Sequence, residues 1–421
     1  MEFSITNVLR FSYFDHLKRD EGYAAIIETA HDKMVSSHQV KRFFSRFSFV
    51  CSRSFRWILK RLFLWRLLIE KPSLLIFTLD TRVLDNDDAL KRQGVSVSYK
   101  KKKGFQPLHL LWNGKIIDAL FRGGSTHGNN GQGAITMLTE MVRFIRKHYS
   151  QSVPIIIRLD SGFFDEKILR ALDKLNVGFL CSGKLYQGVK DFMAACKGPW
   201  QIYDNGHQRW DYKEFGYRCQ SWPCFFRALY TRLTHDGPQY LFDFARPDNV
   251  IVTNLGIKAS LTKALTAAGY ENLLLPEQLL ANHHQRGADE LPHRGLKDFA
   301  SQKLPFHRIL HLLLNCCLCH YHSNAKSGFK RFSANTAWYY CMIIAFFLFE
   351  TFKEDNLEGL IEIGSYPTTV RRTIIDIAAK IVKTSGYIIL KVSQAVMDRL
   401  NFDLLFEDCQ TTPLRVSALL E

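Results

Sequence analysis

Several features are missing from this chain, and each absence narrows the reading. The ten cysteines among 421 residues follow no regular framework, so a disulfide scaffold is not expected. No charged, then apolar, then small-residue leader opens the sequence, and a reducing cytoplasm is the compartment expected. The longest uncharged stretch, Ser333 to Phe349, falls short of the ~20 apolar residues that a bilayer requires, and we read it as a buried helix. The cluster Cys316, Cys317, Cys319, His320 and His322 lacks paired Cys-x-x-Cys spacing and continues the apolar segment Ile309 to Leu314. A core helix is the reading there, not a zinc site. The glycine loop Arg122 to Gly131 has neither Gly-Lys-Ser/Thr nor dinucleotide spacing, so it reads as a connection and not a phosphate cradle.

Negative charge is also scarce. The 40 acidic residues face 56 basic ones, a net charge of +16 with a pI near 9.3. That excess favours a polyanion and salt-dependent binding, and it suits a membrane surface equally well. At 47% hydrophobic the chain can bury one large core plus smaller units.

Residues 1–70 read as a helical, basic N-terminal region. Arg53, Arg56 and Lys60 recur at spacings of three and four beside Trp57, Leu62, Phe63, Leu64 and Trp65, a pattern open to phosphate contact or to plain packing. From Leu74 the pattern turns to strands, at 74–80, about 95–100, 105–112 and 115–121, with Lys100, Lys101, Lys102 and Lys103 before Gly104 as a basic hairpin turn. A helix over 132–148, a strand over 153–159, a helix over 165–176 and a strand over 177–182 complete the order β-β-β-α-β-α-β. Asp80 closes the first strand and Asp160 follows the fourth, a ribonuclease H-like arrangement within 71–185 and 276–350. Between these halves, 186–275 reads as a β-rich insertion with Trp200, Trp210, Trp222 and Tyr240 as aromatic faces for base stacking or core building. Residues 351–421 read as helical. The fold class expected is α/β: this core, interrupted by the insertion, with helical N- and C-terminal parts.

Three carboxylates carry the chemistry: Asp80, Asp160 and Glu290, the last within His283-His284-Gln285-Arg286-Gly287-Ala288-Asp289-Glu290. Two acids at strand ends and a third on a later helix are the kind of set that holds two Mg²⁺ ions for phosphoryl transfer. The plain alternative, an ordinary surface carboxylate, suits any one of them but not three in this order. Asp85, Asp87, Asp88 and Asp289 stand nearby as substitutes.

These residues resemble the DDE-type insertion-sequence transposases, in particular the branch with a Tyr-x2-Arg-x3-Glu-x6-Lys signature and a β insertion before the last acid. His283, Arg286, Glu290 and Lys297 keep its three intervals. Leu79-Asp80-Thr81-Arg82-Val83, the stretch from Tyr99 through Gly104-Phe105-Gln106-Pro107-Leu108, and Arg158-Leu159-Asp160-Ser161-Gly162-Phe163-Phe164 look like the same branch, and the resemblance extends from about residue 40 to Arg371-Arg372-Thr373. Two positions depart. His283 replaces the signature tyrosine, and Pro292 requires either a helix begun at Glu290 after an Asp289 cap or a kinked helix through 283–297. The resemblance also leads one to expect more sequence ahead of the catalytic domain.

The resemblance implies a transposase that cleaves DNA and transfers strands at the ends of its own element, with Mg²⁺ or Mn²⁺ as cofactor, two ions per active site. Asp80 would bridge both ions, and Asp160 and Glu290 would each complete one shell. His283, Arg286 and Lys297 would bind transposon ends, with Lys100 to Lys103 as looser DNA contacts. Terminal inverted repeats and target DNA are the implied partners, in a homodimeric synaptic complex with no membrane, in a prokaryotic cytoplasm at the nucleoid. The alternatives are a decayed, non-catalytic DNA-binding copy and a ribonuclease H-like DNA nuclease.

Overall fold

A computed structural model describes residues 11–48, 50–86, 93–98, 100–126, 131–237, 239–240, 247–286, 290–300, 303–306, 327–377, 379–384 and 387–411. Its spine is a ten-stranded sheet. Five strands make one half, with β6 at the edge: β1 (Leu75–Thr81), β5 (Leu108–Trp112), β6 (Lys115–Leu120), β7 (Ile155–Leu159) and β8 (Gly178–Ser182). They lie in the order β6-β5-β1-β7-β8. β5 runs antiparallel to β1 and β6, while β7 runs parallel to β1 and β8. This is the ribonuclease H-like order expected, and the mixed α/β class with helical ends holds.

The stretch 186–275 does not stand apart as a separate body. β9 (Gln201–Asp204), β10 (Gln208–Tyr217), β11 (Phe226–Asp236), β12 (Gln239–Tyr240) and β13 (Asp248–Thr253) continue the same sheet beyond β8, joined through β13. Side-chain alternation explains the continuity, since successive residues of a strand face opposite layers. Ile156, Leu180, Ile251, Leu229 and Tyr212 form one buried row crossing from β7 to β10, each large side chain contributing about 1.5–3 kcal/mol.

Helices cover both faces. One face buries Leu75, Phe77, Leu79, Ile155 and Ile157 against α4 (Cys51–Glu70), α5 (Gly131–His148) and α6 (Glu166–Lys174). Before α4 come α1 (Ser12–Leu17), α2 (Glu21–Ile26) and α3 (Ser37–Ser45); α7 (Gln187–Ala195) precedes β9. The other face carries α8 (Ala259–Ala267), α9 (Pro276–His284), α10 (Glu290–Phe299) and α11 (Ser327–Asn356). Within α11 the span Phe332–Asn356 is long and apolar enough to cross a membrane. It instead buries Tyr339, Tyr340, Ile343 and Phe346 against β5, β6 and α10, the buried helix the sequence predicts.

On the basic side of α4, Arg56 and Lys60 are engaged by acids of the fold, while Arg53 is exposed. Arg56 reaches Asp118 through two hydrogen bonds of 2.8 and 2.7 Å and Glu140 at 2.9 Å; Lys60 also meets Glu140, at 3.1 Å.

Three expectations change. The strand over 95–100 contracts to β3 (Ser96–Val97), which pairs with β4 (Lys103–Phe105) in a separate three-stranded sheet with β2 (Leu84–Asp85). The strand over 105–112 splits because Pro107 has no N–H for a ladder; the chain re-enters the main sheet at Leu108. The C-terminal part, helical in α12 (Pro367–Val370), α13 (Gln394–Leu400) and α14 (Phe402–Thr411), also contains a hairpin of β14 (Ala379–Thr384) and β15 (Tyr387–Val392). Ile381, Val382, Ile388, Ile389 and Val392, around a Ser-Gly step, favour that pairing. Cys316, Cys317, Cys319, His320 and His322 lie outside the described residues.

In the described part of the glycine loop, Arg122 to Thr126, Gly123 and Gly124 lie close against backbone. A Cβ on Gly124 would meet the Gly104 and Ser96 carbonyl oxygens at 2.2 and 2.3 Å, so only glycine fits there.

Candidate active site

Asp80 and Asp160 are brought together by register. Leu79 pairs with Leu159 across the parallel β1–β7 ladder, and each acid is the next residue along the chain, Asp80 still within β1 and Asp160 just beyond β7. Leu79 points into the core, so alternation turns Asp80 to the opposite face, under α10. Thr81 N–H donates to Asp80 Oδ1 at 2.7 Å. Asp160 leaves β7 to cap the tight turn Ser161–Phe163, accepting the Gly162 N–H at 2.9 Å.

Both acids line one cleft of about 440 Å³ with Arg82, Asp85, Lys100, Lys102, Arg286, His293, Arg294 and Lys297. The Asp80 side chain is 20% exposed and that of Asp160 31%. Burial pushes the Asp80 carboxyl up to about 6, and the Asp160 charge adds to the rise; Arg286, the Thr81 N–H and Lys100 pull it down. Arg286 Nη2 stands 3.7 Å from Asp160 Oδ2, so one guanidinium offsets part of the charge of both acids.

Glu290 begins α10; its side chain lies outside the described part. Its position shares a helical stripe with His293, Arg294 and Lys297, at offsets of three, four and seven, and those three residues line the cleft. Among the described residues α9 ends at His284 and α10 runs over Glu290–Phe299, with 287–289 outside the description. Pro292 is the third residue of that span, a place where a proline's missing N–H is tolerated. Asp289 lies outside the described residues.

The basic residues divide. Lys100 and Lys102 line the cleft, and Lys102 meets Asp85 at 2.6 Å. Lys101 turns with a left-handed φ of 57°, and neither it nor Lys103 lines the cleft. His283, expected among the DNA contacts, packs inward at 7% exposure with Nε2 2.9 Å from Ser182 Oγ. Its place behind the cleft follows from α9 lying against β8. Burial drives its pKa down to about 3, so it is a neutral packing group. Trp210 and Trp222 are buried and build the fold, while Trp200 is half-buried and flanked by Lys213 and Arg232 at 4.7 and 5.3 Å.

The sequence reading gave no role to Arg82, His109, His293, Arg294 or Tyr339. His109 lies directly opposite Asp80 on β5. Its Nδ1 is 3.2 Å from His293 Nε2, and its Nε2 bonds the Tyr339 hydroxyl. His293 Nδ1 stands 3.5 Å from Asp80 Oδ2, and the Arg82 guanidinium donates to the His293 carbonyl. The Glu290–His293 spacing of three was a usable signal; His109 and Tyr339 gave none.

Residues 10–315 match the family described as "Transposase DDE domain group 1". The chain belongs to that family. This transposase therefore acts on DNA, cleaving it and transferring strands, and the family generally depends on a divalent metal. No curated protein sequence matches it. Among solved structures it is similar to one described as the "Cryo-EM structure of piggyBac transposase synaptic complex with hairpin DNA", with 9% identity and a TM-score of 0.39, covering 99% of this chain and 72% of that one.

The donor set fits the metal. Two adjacent carboxylates supply hard oxygens of the kind Mg²⁺ and Mn²⁺ take, and the raised Asp80 carboxyl marks a place where a cation is favourable. Among the described residues no cluster of three His, Cys, Asp or Glu forms.

Proposed function

We propose that Asp80, Asp160 and Glu290 are the catalytic and metal-binding carboxylates of this transposase, holding two Mg²⁺ or Mn²⁺ ions for cleavage and strand transfer at the terminal inverted repeats of an insertion sequence. The observation carrying this reading is the pairing of Asp80 and Asp160 at the ends of adjacent parallel strands, beneath the helix that Glu290 begins. Bound ions supply activation of water or a 3′-hydroxyl and stabilisation of the leaving oxygen.

The protein's own groups do the rest. The Thr81 N–H fixes one Asp80 oxygen and the Gly162 N–H one Asp160 oxygen, which orients both acids before DNA arrives. Arg286, Lys297, Lys100 and Lys102 present donors along the same cleft, where they grip phosphates flanking the cut. Arg286 also keeps two neighbouring acids tolerable in one cleft. A homodimer follows from the need to synapse two DNA ends, and a prokaryotic nucleoid is the site of action we assign.

The test is cleavage of labelled DNA carrying the sequence that flanks the gene at its own locus, in Mg²⁺ or EDTA, with native protein and Asp160→Asn. Metal-dependent nicking at the element boundary, absent in the variant, is the expected result. Binding without nicking would point to a decayed copy, and nicking indifferent to the boundary to a ribonuclease H-like nuclease.

A further inference from the structure

We propose that Tyr339, His109 and His293 form a one-way hydrogen-bond chain that orients the Asp80 carboxylate, with His293 as the positioning residue in contact with it. The inference rests on the reading of Asp80 as a metal-binding acid. Four elements contribute one group each: Tyr339 from α11, His109 from β5, His293 from α10 and Asp80 from β1. The links are the Tyr339 hydroxyl to His109 Nε2, His109 Nδ1 to His293 Nε2 at 3.2 Å, and His293 Nδ1 to Asp80 Oδ2 at 3.5 Å. The last is long for a hydrogen bond, as catalytic contacts often are before substrate and metal bind.

The direction of the chain follows from its buried end. Tyr339 and His109 have no exposed surface, and His109 is the hydrogen-bond partner of the Tyr339 hydroxyl among the described residues. Burial keeps that phenol protonated, so its O–H has one acceptor to give to, and His109 Nε2 must accept. A neutral imidazole carries one proton, which then sits on His109 Nδ1 and faces His293 Nε2. His293 is left with its proton on Nδ1, aimed at Asp80 Oδ2. His109, wholly buried, is held neutral first of all by that burial.

The reverse direction would leave the Tyr339 O–H without its acceptor, a buried polar group of the kind proteins avoid. The Thr81 N–H holds Oδ1, while His293 Nδ1 faces Oδ2 at 3.5 Å. The Arg82 bond to the His293 carbonyl pins the first turn of α10, and with it the helix that Glu290 opens.

The experiment has two readouts on the full-length protein. Long-range ¹H–¹⁵N correlation of ring-labelled histidines, without metal, gives tautomers, with His109→Gln and His293→Gln assigning the two signals. Both rings are expected as the Nδ1–H form, and Tyr339→Phe, which keeps the ring and removes the hydroxyl, should shift His109 toward Nε2–H. Native rings in the Nε2–H form, or tautomers indifferent to Tyr339→Phe, would overturn the chain.

Calorimetric Mn²⁺ titration then tests its purpose, with affinity expected to fall about 10-fold in Tyr339→Phe and up to about 100-fold in His293→Gln, the range for partners behind a metal ligand. Native affinity in both variants overturns the positioning role while leaving the metal site standing. Native protein that binds no Mn²⁺ overturns both, even with the tautomers as expected.

Discussion

Asp80 and Asp160 hold matching places on neighbouring parallel strands, yet their surroundings differ. Asp80 sits beneath α10 on the strand between β5 and β7, 20% exposed, with His293 nearby and its carboxyl pushed up to about 6. Asp160, 31% exposed, stands at the mouth, where it caps a turn and meets Arg286. What covers a strand end, more than its place in the sheet, sets how costly its charge is: both acids accept a local backbone N–H, and Asp80 is the more deeply buried of the two.

The largest test of that contrast is one in which it should vanish. Asp80→Asn and Asp160→Asn should each cut single-turnover DNA cleavage on the order of 10³-fold or more, because residues acting as a unit fail together. A variant at the outer acid retaining a tenth of native cleavage would break the pairing.

Stability should then separate the two. The folded Asp80 carboxyl titrates at about 6 against an ordinary 3.8, so the folded state holds this proton more tightly than the unfolded chain. Its contribution is fully present below pH ~4 and is lost as pH rises through 6, at most about 3 kcal/mol. In EDTA, Asp80→Asn should therefore be more stable than native by roughly 1–3 kcal/mol at pH 8 and equal to it at pH 4, read from denaturant midpoints. Equal midpoints at pH 8 would show that burial does not strain this acid.

A smaller effect belongs to the outer acid. A Cβ on Gly162 would lie 3.0 Å from Asp160 Oδ1, so Gly162→Ala should turn that carboxylate and lower cleavage about 10-fold, with DNA binding unchanged by gel shift. The smallest concerns the rim. Lys100→Gln or Lys102→Gln should each reduce the slope of log affinity against log salt by about one, with the cut position unchanged.

Much of this was legible in the chain. The apolar runs ending at Asp80 and Asp160 announced two buried strands with acids at their ends, and the interval of four from Arg286 to Glu290 marked the third acid. The signature spacing could not say that His283 turns inward, because burial depends on β8, a hundred residues earlier. Nor could it part Lys100 and Lys102 from Lys101 and Lys103, since that rests on one left-handed turn residue. The histidine chain joins positions 184 and 230 apart in sequence, and no local pattern encodes such contacts. β14 and β15 were overlooked because short β-branched runs among lysines also suit a helix face.

We propose that Asp80, Asp160 and Glu290 converge on one metal centre. The most direct measurement is Mn²⁺ binding by calorimetry to native protein and to Asp80→Asn, Asp160→Asn and Glu290→Gln. Loss of binding in all three is predicted; native-like binding in Glu290→Gln would contradict the account and place the third ligand elsewhere.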